Sequence, residues 1–524
     1  MPTMYMPDLE EGQLLRFSVE TPATAALAPA RRLPAGLAPR LTSRLAVHAA
    51  AATGGYTTNG WDTVYVIALP DVNAAIVSQK SSPTSWTATI KGGTFNPTID
   101  GTGAFGDWAL TVGGSGSIVR MNIPFTATVV VHDGDNTTFH VEGGTAFVEV
   151  KLEYIPQPPT DGTTPNNLKV RDSGGSQNDP VVTVSSVSYT SPAQDDGLDN
   201  ALVELLQQWM NANLMQFEHV FATVNLGLDE ASGDFAWLSP TTTSYAYLDN
   251  VIIADALLGV LCMTEGRSAE DAVQEIGSGA IPSGARSSFN LSLERVMTKM
   301  VMPGLPMEFT HAPAGTFSLS ADATQITATQ SFNLDAVKVG AIDYTPNVTA
   351  YSITVVDDVI ETTIAVHTPI SPGIDAYFSG TYFSNITLAT KDDGTQSLTW
   401  TQAEDPQTNS WYTVATWVVI TEAIASLILA VIGAIAGGVA ASVESTVVKV
   451  LIGMLVGGVV AAIATVLSQI PNWIAGSVPG PAPSVSGLVD GATQPQKWAD
   501  SADFKITVAV LNGGLQLGGN PFGS

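Results

Sequence analysis

The sequence predicts an α+β fold in which long antiparallel strands enclose apolar helices. Hydrophobic residues make up 45% of the 524 residues and charged residues only 13%, about half the usual charged fraction. Runs rich in β-branched and aromatic residues form two blocks, over residues 62–154 and 316–401, which is typical of strands. Helical patterns follow each block. This order is not the βαβ alternation of a parallel sheet, so antiparallel sheets are expected.

The first strand set spans residues 56–190. We predict strands at 62–69, 86–91, 108–112, 117–131 and 137–154. The turn His132–Asn136 separates the last two, which are therefore expected to form a hairpin. Residues 155–180 contain several prolines and glycines and are interpreted as a linker, with a short strand at 181–189.

Residues 191–310 are predicted to be a helical segment. Asp195 or Asp196 is positioned to cap a helix. A wide apolar stripe follows at spacings of three and four, formed by Leu202, Leu205, Leu206, Trp209, Met210, Leu214, Phe217 and Phe221. We interpret the stripe as packing against a sheet; the alternative is that it also lines a ligand cavity. Further helices are predicted at 248–263, 269–276 and 289–301.

The second strand set spans residues 311–410, and an apolar helical hairpin is predicted over 411–476. The hairpin contains two runs without a charged side chain, residues 423–442 and 450–468. As helices these would be roughly 30 Å long, about the thickness of a bilayer core. Small residues at a spacing of four, Gly433 and Gly437 in the first run, favour close helix approach. Residues 477–524 are predicted to be a Pro/Gly linker and a last strand.

The charge of the chain excludes some functions. The formal net charge is −28, from 20 basic and 48 acidic residues, so the surface repels phosphate backbones and no nucleic-acid partner is expected. Residues 1–55 are about neutral and rich in Arg, Ala and Pro; they are interpreted as an N-terminal arm, either a flexible extension or a docking segment. No secretory signal is recognised at residues 1–15. We therefore expect a cytoplasmic protein, or one released without a signal peptide.

No catalytic group is apparent from the sequence. There is no nucleotide-binding glycine loop, and none of the six histidines is at metal-ligand spacing to another histidine or to Cys262, the single cysteine. We therefore expect a protein that is not an enzyme and that has no catalytic residues, no metal and no cofactor.

Three stretches resemble a known family. They are Asn59–Tyr65 (NGWDTVY), Phe217–Leu226 (FEHVFATVNL) and Trp237–Thr241 (WLSPT). Together they resemble the OrfX-type clostridial neurotoxin-cluster proteins of the tubular lipid-binding (TULIP) superfamily, from about residue 59 to the end of the chain. The resemblance implies an elongated, TULIP-like α+β fold, with long, strongly curved antiparallel sheets wrapped around long apolar helices. It also implies that residues 56–524 form one TULIP-like unit.

Three functions remain open. The first is non-catalytic binding of a lipid, fatty-acid-like or other apolar ligand in an elongated hydrophobic cavity, as an accessory protein of a toxin or secretion-type gene cluster. The second is a membrane-inserting or toxin-complex accessory protein that uses the 417–470 hairpin; this membrane contact is the less favoured reading. The third is a scaffold that binds a protein partner and no ligand. The predicted lipid-binding residues are Leu205, Trp209, Met210, Phe217, Ile424, Leu427, Ile428 and Val431.

Overall fold

The computed structural model describes residues 15–17, 55–93, 97–159, 164–172, 180–226, 235–390, 396–443, 496–498 and 504–521. Most of the predicted arm, the second apolar run at 450–468 and most of the 477–524 segment lie outside the described residues. The chain divides into two compact units. Unit 1 consists of residues 1–56, 293–487 and 509–515, and unit 2 of residues 57–292, 488–508 and 516–524. The boundaries drawn from the sequence follow chain order and did not anticipate this division.

The described elements are mostly strands. In chain order the strands are β1 (Leu15–Phe17), β2 (Thr63–Ala68), β3 (Ser85–Ile90), β4 (Thr98–Phe105), β5 (Ala109–Leu110), β6 (Ile118–His132), β7 (Thr137–Pro156), β8 (Thr164–Val170), β9 (Val182–Ser188), β10 (Ala222–Leu226), β11 (Pro240–Leu248), β12 (Leu257–Thr264), β13 (Ser287–Ser292), β14 (Phe317–Leu319), β15 (Gln325–Ala328), β16 (Phe332–Asn333), β17 (Val337–Val339), β18 (Ile342–Tyr344), β19 (Asn347–Val356), β20 (Val359–Ser371), β21 (Ile374–Thr390), β22 (Gln396–Val414), β23 (Gln496–Trp498), β24 (Lys505–Leu511) and β25 (Gly514–Asn520). The helices are α1 (Leu69–Gln79), α2 (Asp196–Ala212), α3 (Met302–Glu308) and α4 (Glu422–Val443). A π-helix over Val296–Val301 precedes α3.

Unit 2 contains a large antiparallel sheet of nine described strands, ordered β23-β10-β8-β7-β6-β4-β3, with β5 beside β6 and β9 beside β7. The predicted hairpin is confirmed: β6 and β7 pair in antiparallel register, with Val129 opposite Phe139. Burial along β6 alternates residue by residue, so one face of the sheet forms a core. That core face of β6 consists of Val119, Met121, Ile123, Phe125, Ala127 and Val129.

A second sheet has the strand order β11-β12-β2-β13-β25-β24. Its central strands are buried on both faces: every residue of β2 and of β12 is buried. Three buried polar side chains tie β2, β13 and β25 together. The Asn290 side-chain amide donates to the carbonyl oxygen of Val64 at 3.1 Å, and the Gln516 amide donates to Asn290 Oδ1 at 3.1 Å. Ser287 Oγ donates to the carbonyl oxygen of Val66 at 2.6 Å.

Unit 1 is built on a sheet of eight described strands, ordered β1-β22-β21-β20-β19-β15-β14, with β16 beside β19. Strands β21 and β22 contain 17 and 19 residues, well above the usual length of five or six. Their inner face and that of β20 bury alternate residues, including Ile364, Phe378 and Tyr382. Helix α4 packs against β20, β21 and β22 and against the small β17–β18 hairpin. The predicted helix at 423–442 is therefore confirmed.

Several predicted elements were wrong. The helix predicted at 248–263 is a turn followed by strand β12. The one predicted at 289–301 is confirmed in part: residues 289–292 belong to β13, and residues 293–301 are helical. Residues 269–276 form turns and no helix. Strands buried on both faces lack polar alternation, so their sequence pattern cannot be distinguished from that of a buried helix. The helical segment predicted at 191–310 therefore has one long helix, α2.

Other differences come from turn-forming residues. The strand predicted at 62–69 ends at Ala68, where Pro70 sits in the first turn of α1, a position that proline favours. The predicted linker at 155–180 contains strand β8, whose Pro165 lies next to its first residue.

Candidate functional site

Helix α2 lies on the nine-stranded sheet of unit 2, against β3, β4 and β9. Its start is fixed by Asp195, whose Oδ1 accepts hydrogen bonds from the backbone N–H groups of Gly197 and Leu198, both at 3.0 Å. This is the cap that the sequence predicts. The side chains of Leu205 and Met210 are 0% exposed. The stripe therefore faces the sheet.

The C-terminal end of α2 contacts an aromatic cluster. The ring centroids of Trp209 and Phe105 are 5.0 Å apart. Phe105 is 5.6 Å from Trp108, and Trp108 is 4.3 Å from Phe217. These separations are typical of aromatic pairs in contact. Four predicted binding residues are thus brought together in unit 2: Leu205, Trp209, Met210 and Phe217.

The contact between α2 and the sheet is tight at Gly101. A Cβ atom at this position would lie 2.7 Å from Leu205 Cδ1 and 2.9 Å from the Trp86 ring. Because real Cβ contacts are longer than this, only glycine allows the helix and β4 to approach so closely. The geometry supports the interpretation that this part of the stripe is packed core; a ligand contact at Leu205 stays a prediction.

Helix α4 presents one covered side to the sheet of unit 1. Five of its residues, spaced by three or four, are at most 3% exposed: Ile428, Val431, Ile432, Ile435 and Val439. This spacing gives a single stripe along the helix. The stripe includes two predicted binding residues, Ile428 and Val431, whereas Ile424 and Leu427 are only partly buried.

The other side of α4 is apolar as well. Ser426, Leu429, Ala430, Gly433 and Gly437 are exposed, and we name these five residues the open face of α4. Leu429 is 39% exposed. Apart from the adjacent residues and the backbone of α4 itself, no described atom lies within 4 Å of a Cβ built on Gly433 or Gly437. The second apolar run, which the sequence analysis paired with these glycines, falls outside the described residues.

Helix α4 has the composition of a membrane span. Over Glu422–Ala440 its mean hydropathy is 2.4 and only 28% of the stretch is buried. In the part of the chain that the structure describes, it is the one helix long and apolar enough to cross a bilayer. Two large apolar side chains just before it are also exposed, Trp417 at 69% and Val419 at 79%.

The eight predicted binding residues are divided between the two units. Four lie in unit 2 around α2, and four lie in unit 1 on α4. The sequence analysis missed the open face, because it selected the large side chains of α4 and these mostly face the sheet. A helical projection would have found it: the small residues Ser426, Ala430, Gly433 and Gly437 fall on one side.

Two buried carboxylates in unit 2 have structural partners. Asp62 Oδ2 accepts from the backbone N–H and the hydroxyl of Thr264, both at 2.9 Å, and its Oδ1 lies 3.4 Å from Arg267 Nε. Asp71 forms an ion pair with Arg286. Burial raises the pKa of Asp71, against the opposing effect of Arg286. Both carboxylates hold loops onto β2 and α1.

Two further polar side chains of unit 2, at His219 and Cys262, lie in the interior. Ser81 Oγ, which is partly buried, is 2.8 Å from Nδ1 of the buried His219, a pair that the sequence analysis did not single out. Cys262 is fully buried in β12, and this burial raises the pKa of its thiol to about 12. Among the residues that the structure describes, no cluster of three His, Cys, Asp or Glu side chains is arranged to hold a metal ion.

Comparisons with known proteins place these features in a family context. Residues 58–519 match the model of the OrfX-like family, described as Protein OrfX2/OrfX3/P47. The chain is 29% identical over 384 residues to Protein OrfX3 of Paraclostridium bifermentans, which covers 67% of this chain and 76% of the relative. It is 27% identical over 407 residues to Protein OrfX3 of Clostridium botulinum (strain Kyoto / Type A2), covering 71% and 81%.

A solved structure agrees with the fold. P47 from Clostridium botulinum A2 matches with a TM-score of 0.60 at 16% identity, over 90% of this chain and 100% of P47. A likeness at this identity concerns the fold alone. It confirms the predicted α+β class with antiparallel sheets.

Proposed function

This chain belongs to the OrfX-like family, and we propose that it binds a lipid or another apolar ligand without catalysing a reaction. The observation that carries the proposal is the open face of α4, an apolar helix side that the described residues leave uncovered. An apolar surface in water is unfavourable by about 25 cal/mol per Å². A ligand that covers this face would therefore be stabilised by burial rather than by specific polar contacts.

The shape of the open face favours a thin, flexible ligand. Its side chains are small apart from Leu429, so they form a shallow strip along the helix rather than a deep hole. Gly433 and Gly437 leave space at their Cβ positions among the described atoms. An acyl chain laid along α4 would fit such a strip, with Leu429 at one end.

We extend the proposal to an accessory role in a toxin-type gene cluster. The support is the family, whose model carries the names OrfX2, OrfX3 and P47, and the OrfX3 relatives, which come from clostridia. A protein partner of that cluster is proposed on the same basis. The predicted location, in the cytoplasm or outside the cell without a signal peptide, is proposed with it.

The test is the ligand content of the full chain. Protein purified without detergent is analysed by native mass spectrometry, and its organic extract by lipid mass spectrometry. We expect a bound lipid in the wild type, and at least a tenfold lower content in Leu429→Asp and in Gly433→Leu. Val77→Asp is the matched control, since Val77 is 50% exposed on α1. Absence of lipid in the wild type, after incubation with fatty acid as well, would contradict the proposal.

A second candidate function is insertion of α4 into a bilayer. The specific observation in its favour is that only 28% of the membrane-length stretch of α4 is buried. Flotation with liposomes over a range of pH tests it, with Leu429→Asp as the variant. Binding by the wild type that the variant loses supports insertion. Equal flotation of both proteins, or flotation of neither, argues against insertion. If the chain binds neither lipid nor liposomes, the scaffold function is supported instead.

A further inference from the structure

A separate apolar surface lies at the turn between β11 and β12, far from α4 in the sequence. Three consecutive β-branched side chains are exposed there: Val251 at 97%, Ile252 at 59% and Ile253 at 40%. The exposed fraction of Val251 is the largest of any large hydrophobic side chain in the described residues. We name residues 249–256 the β11–β12 tip.

The tip is held in one conformation by its own hydrogen bonds. Asn250 Oδ1 accepts from the N–H of Ile252 at 3.2 Å, and the carbonyl oxygen of Ile252 accepts from the N–H of Asp255 at 3.0 Å. At its base Asp249 Oδ1 accepts from the N–H of Gly113 at 2.6 Å. Because these hydrogen bonds already order the backbone of the tip, binding through its exposed side chains does not require the backbone to be ordered further.

We propose that the β11–β12 tip inserts into the surface of a neutral lipid bilayer. The tip is convex, since its apolar residues are consecutive in a turn and their neighbours Asn250 and Ala254 are also exposed. An unbonded backbone N–H group is costly in an apolar medium, and two N–H groups of the tip, those of Ile252 and Asp255, are already bonded within the turn. The polar side chains lie at the two ends of the tip, where they would stay at the headgroups.

The size of the surface favours a bilayer over a protein partner. Three side chains are far fewer than the roughly 20–30 residues that each partner contributes to a stable protein interface. A bilayer has no minimum footprint, and several aliphatic side chains suffice for reversible attachment.

Charge selects the kind of lipid. Residues 235–266 contain no Lys or Arg, and Asp255 is exposed on the tip itself. Arg120 lies beside Gly113, whose N–H group donates to Asp249, so this positive charge is at the base of the tip. With a net charge of −28, the chain is repelled by anionic lipid. The tip therefore prefers a zwitterionic surface.

The first test is flotation of the full chain with phosphatidylcholine vesicles. We expect binding by the wild type and a bound fraction about tenfold lower for Val251→Asp. Met215→Asp is the matched control, because Met215 is 72% exposed in a different turn of unit 2. Replacing part of the phosphatidylcholine by phosphatidylserine should reduce binding of the wild type.

The second test places a reporter on the tip and does not need a loss of function. Cys262, the single cysteine, is fully buried, so a thiol-reactive fluorophore would label Val251→Cys selectively. Addition of phosphatidylcholine vesicles should shift the emission to shorter wavelength. The same label on Met215→Cys should show no shift.

Three results would overturn the inference: no flotation of the wild type with phosphatidylcholine, no shift of the label at position 251, or stronger binding to phosphatidylserine. If Val251→Asp loses binding to a purified protein but keeps its vesicle binding, the tip enters a protein pocket instead. Leu429→Asp is assayed in parallel. This variant should float with vesicles as the wild type does but should contain less bound lipid. The proposals for the tip and for the open face of α4 can therefore be refuted independently.

Discussion

Replacing Leu205 by alanine tests whether the stripe on α2 is packed core or the wall of a ligand cavity. Leu205 is 0% exposed and would contact even a single added Cβ at Gly101. In a filled core, removal of its side chain loses the transfer free energy of the buried methyl groups and leaves a void. Such Leu→Ala changes cost about 2–5 kcal/mol of unfolding free energy.

The size of the effect can be placed within that range. The close approach of β4 to α2 leaves little room for the helix to move inward, so the void should persist. We therefore expect a loss of about 3 kcal/mol. For a unit of roughly 150–250 residues, each kcal/mol lowers the melting temperature by about 2–4 °C, which gives a fall of roughly 6–12 °C.

The assay is urea unfolding of the full chain, followed by circular dichroism and by tryptophan fluorescence. Trp86, Trp108 and Trp209 lie near α2 and report on unit 2. Leu429→Ala is the matched control because Leu429 is 39% exposed, and its cost should stay below about 1 kcal/mol. If Leu205→Ala is as mild as the control, or changes the bound lipid without changing stability, the stripe lines a cavity and our packing argument is wrong.

Three further predictions concern single interactions. Asp195→Ala removes the cap of α2 and should cost about 1 kcal/mol of unfolding free energy, measured by thermal unfolding against Asp195→Asn. The hydrogen bond to Asp100 raises the pKa of His132; the resulting stabilisation is present below the unfolded-state pKa and is lost as pH rises through the folded-state pKa. NMR titration of the His132 ring should show this raised pKa, and Asp100→Asn should lower it. Gly433→Ala should stabilise α4 by roughly 0.5–1 kcal/mol. Gly513→Ala should destabilise the chain by more than about 1 kcal/mol, since Gly513 has φ +64° and an added Cβ would overlap the carbonyl oxygen of Tyr56. Equal melting temperatures for the two variants would refute the comparison.

Patterns that repeat over many residues were predicted well. Strands β6 and β7 contain 15 and 20 residues, and burial alternates over most of β6 and over the central part of β7; the stripe of α2 continues through most of that helix. Strand β12 was misread because its eight residues are all buried, so neither face provides the polar signal on which periodicity depends. The error has a physical cause: a central strand and a buried helix both require apolar side chains on every face.

The candidate site was predicted less well than the fold. Hydrophobicity identified α4 as an unusual helix, but it could not tell which side the sheet would cover. The large residues Ile428 and Val431 pack inward, and the small residues are left outside. Composition also cannot separate units: the predicted binding residues around α2 belong to unit 2, and those on α4 belong to unit 1.

The pairing of β25 with β13 has a consequence for synthesis in the cell. Gln516 completes a polar group with Asn290, a residue 226 positions earlier in the chain. The ribosome must therefore synthesise these 226 further residues before this sheet can close. Until then β13 lacks its partner strand and exposes an unpaired sheet edge, and a chaperone that shields apolar segments during translation would raise the yield of native protein.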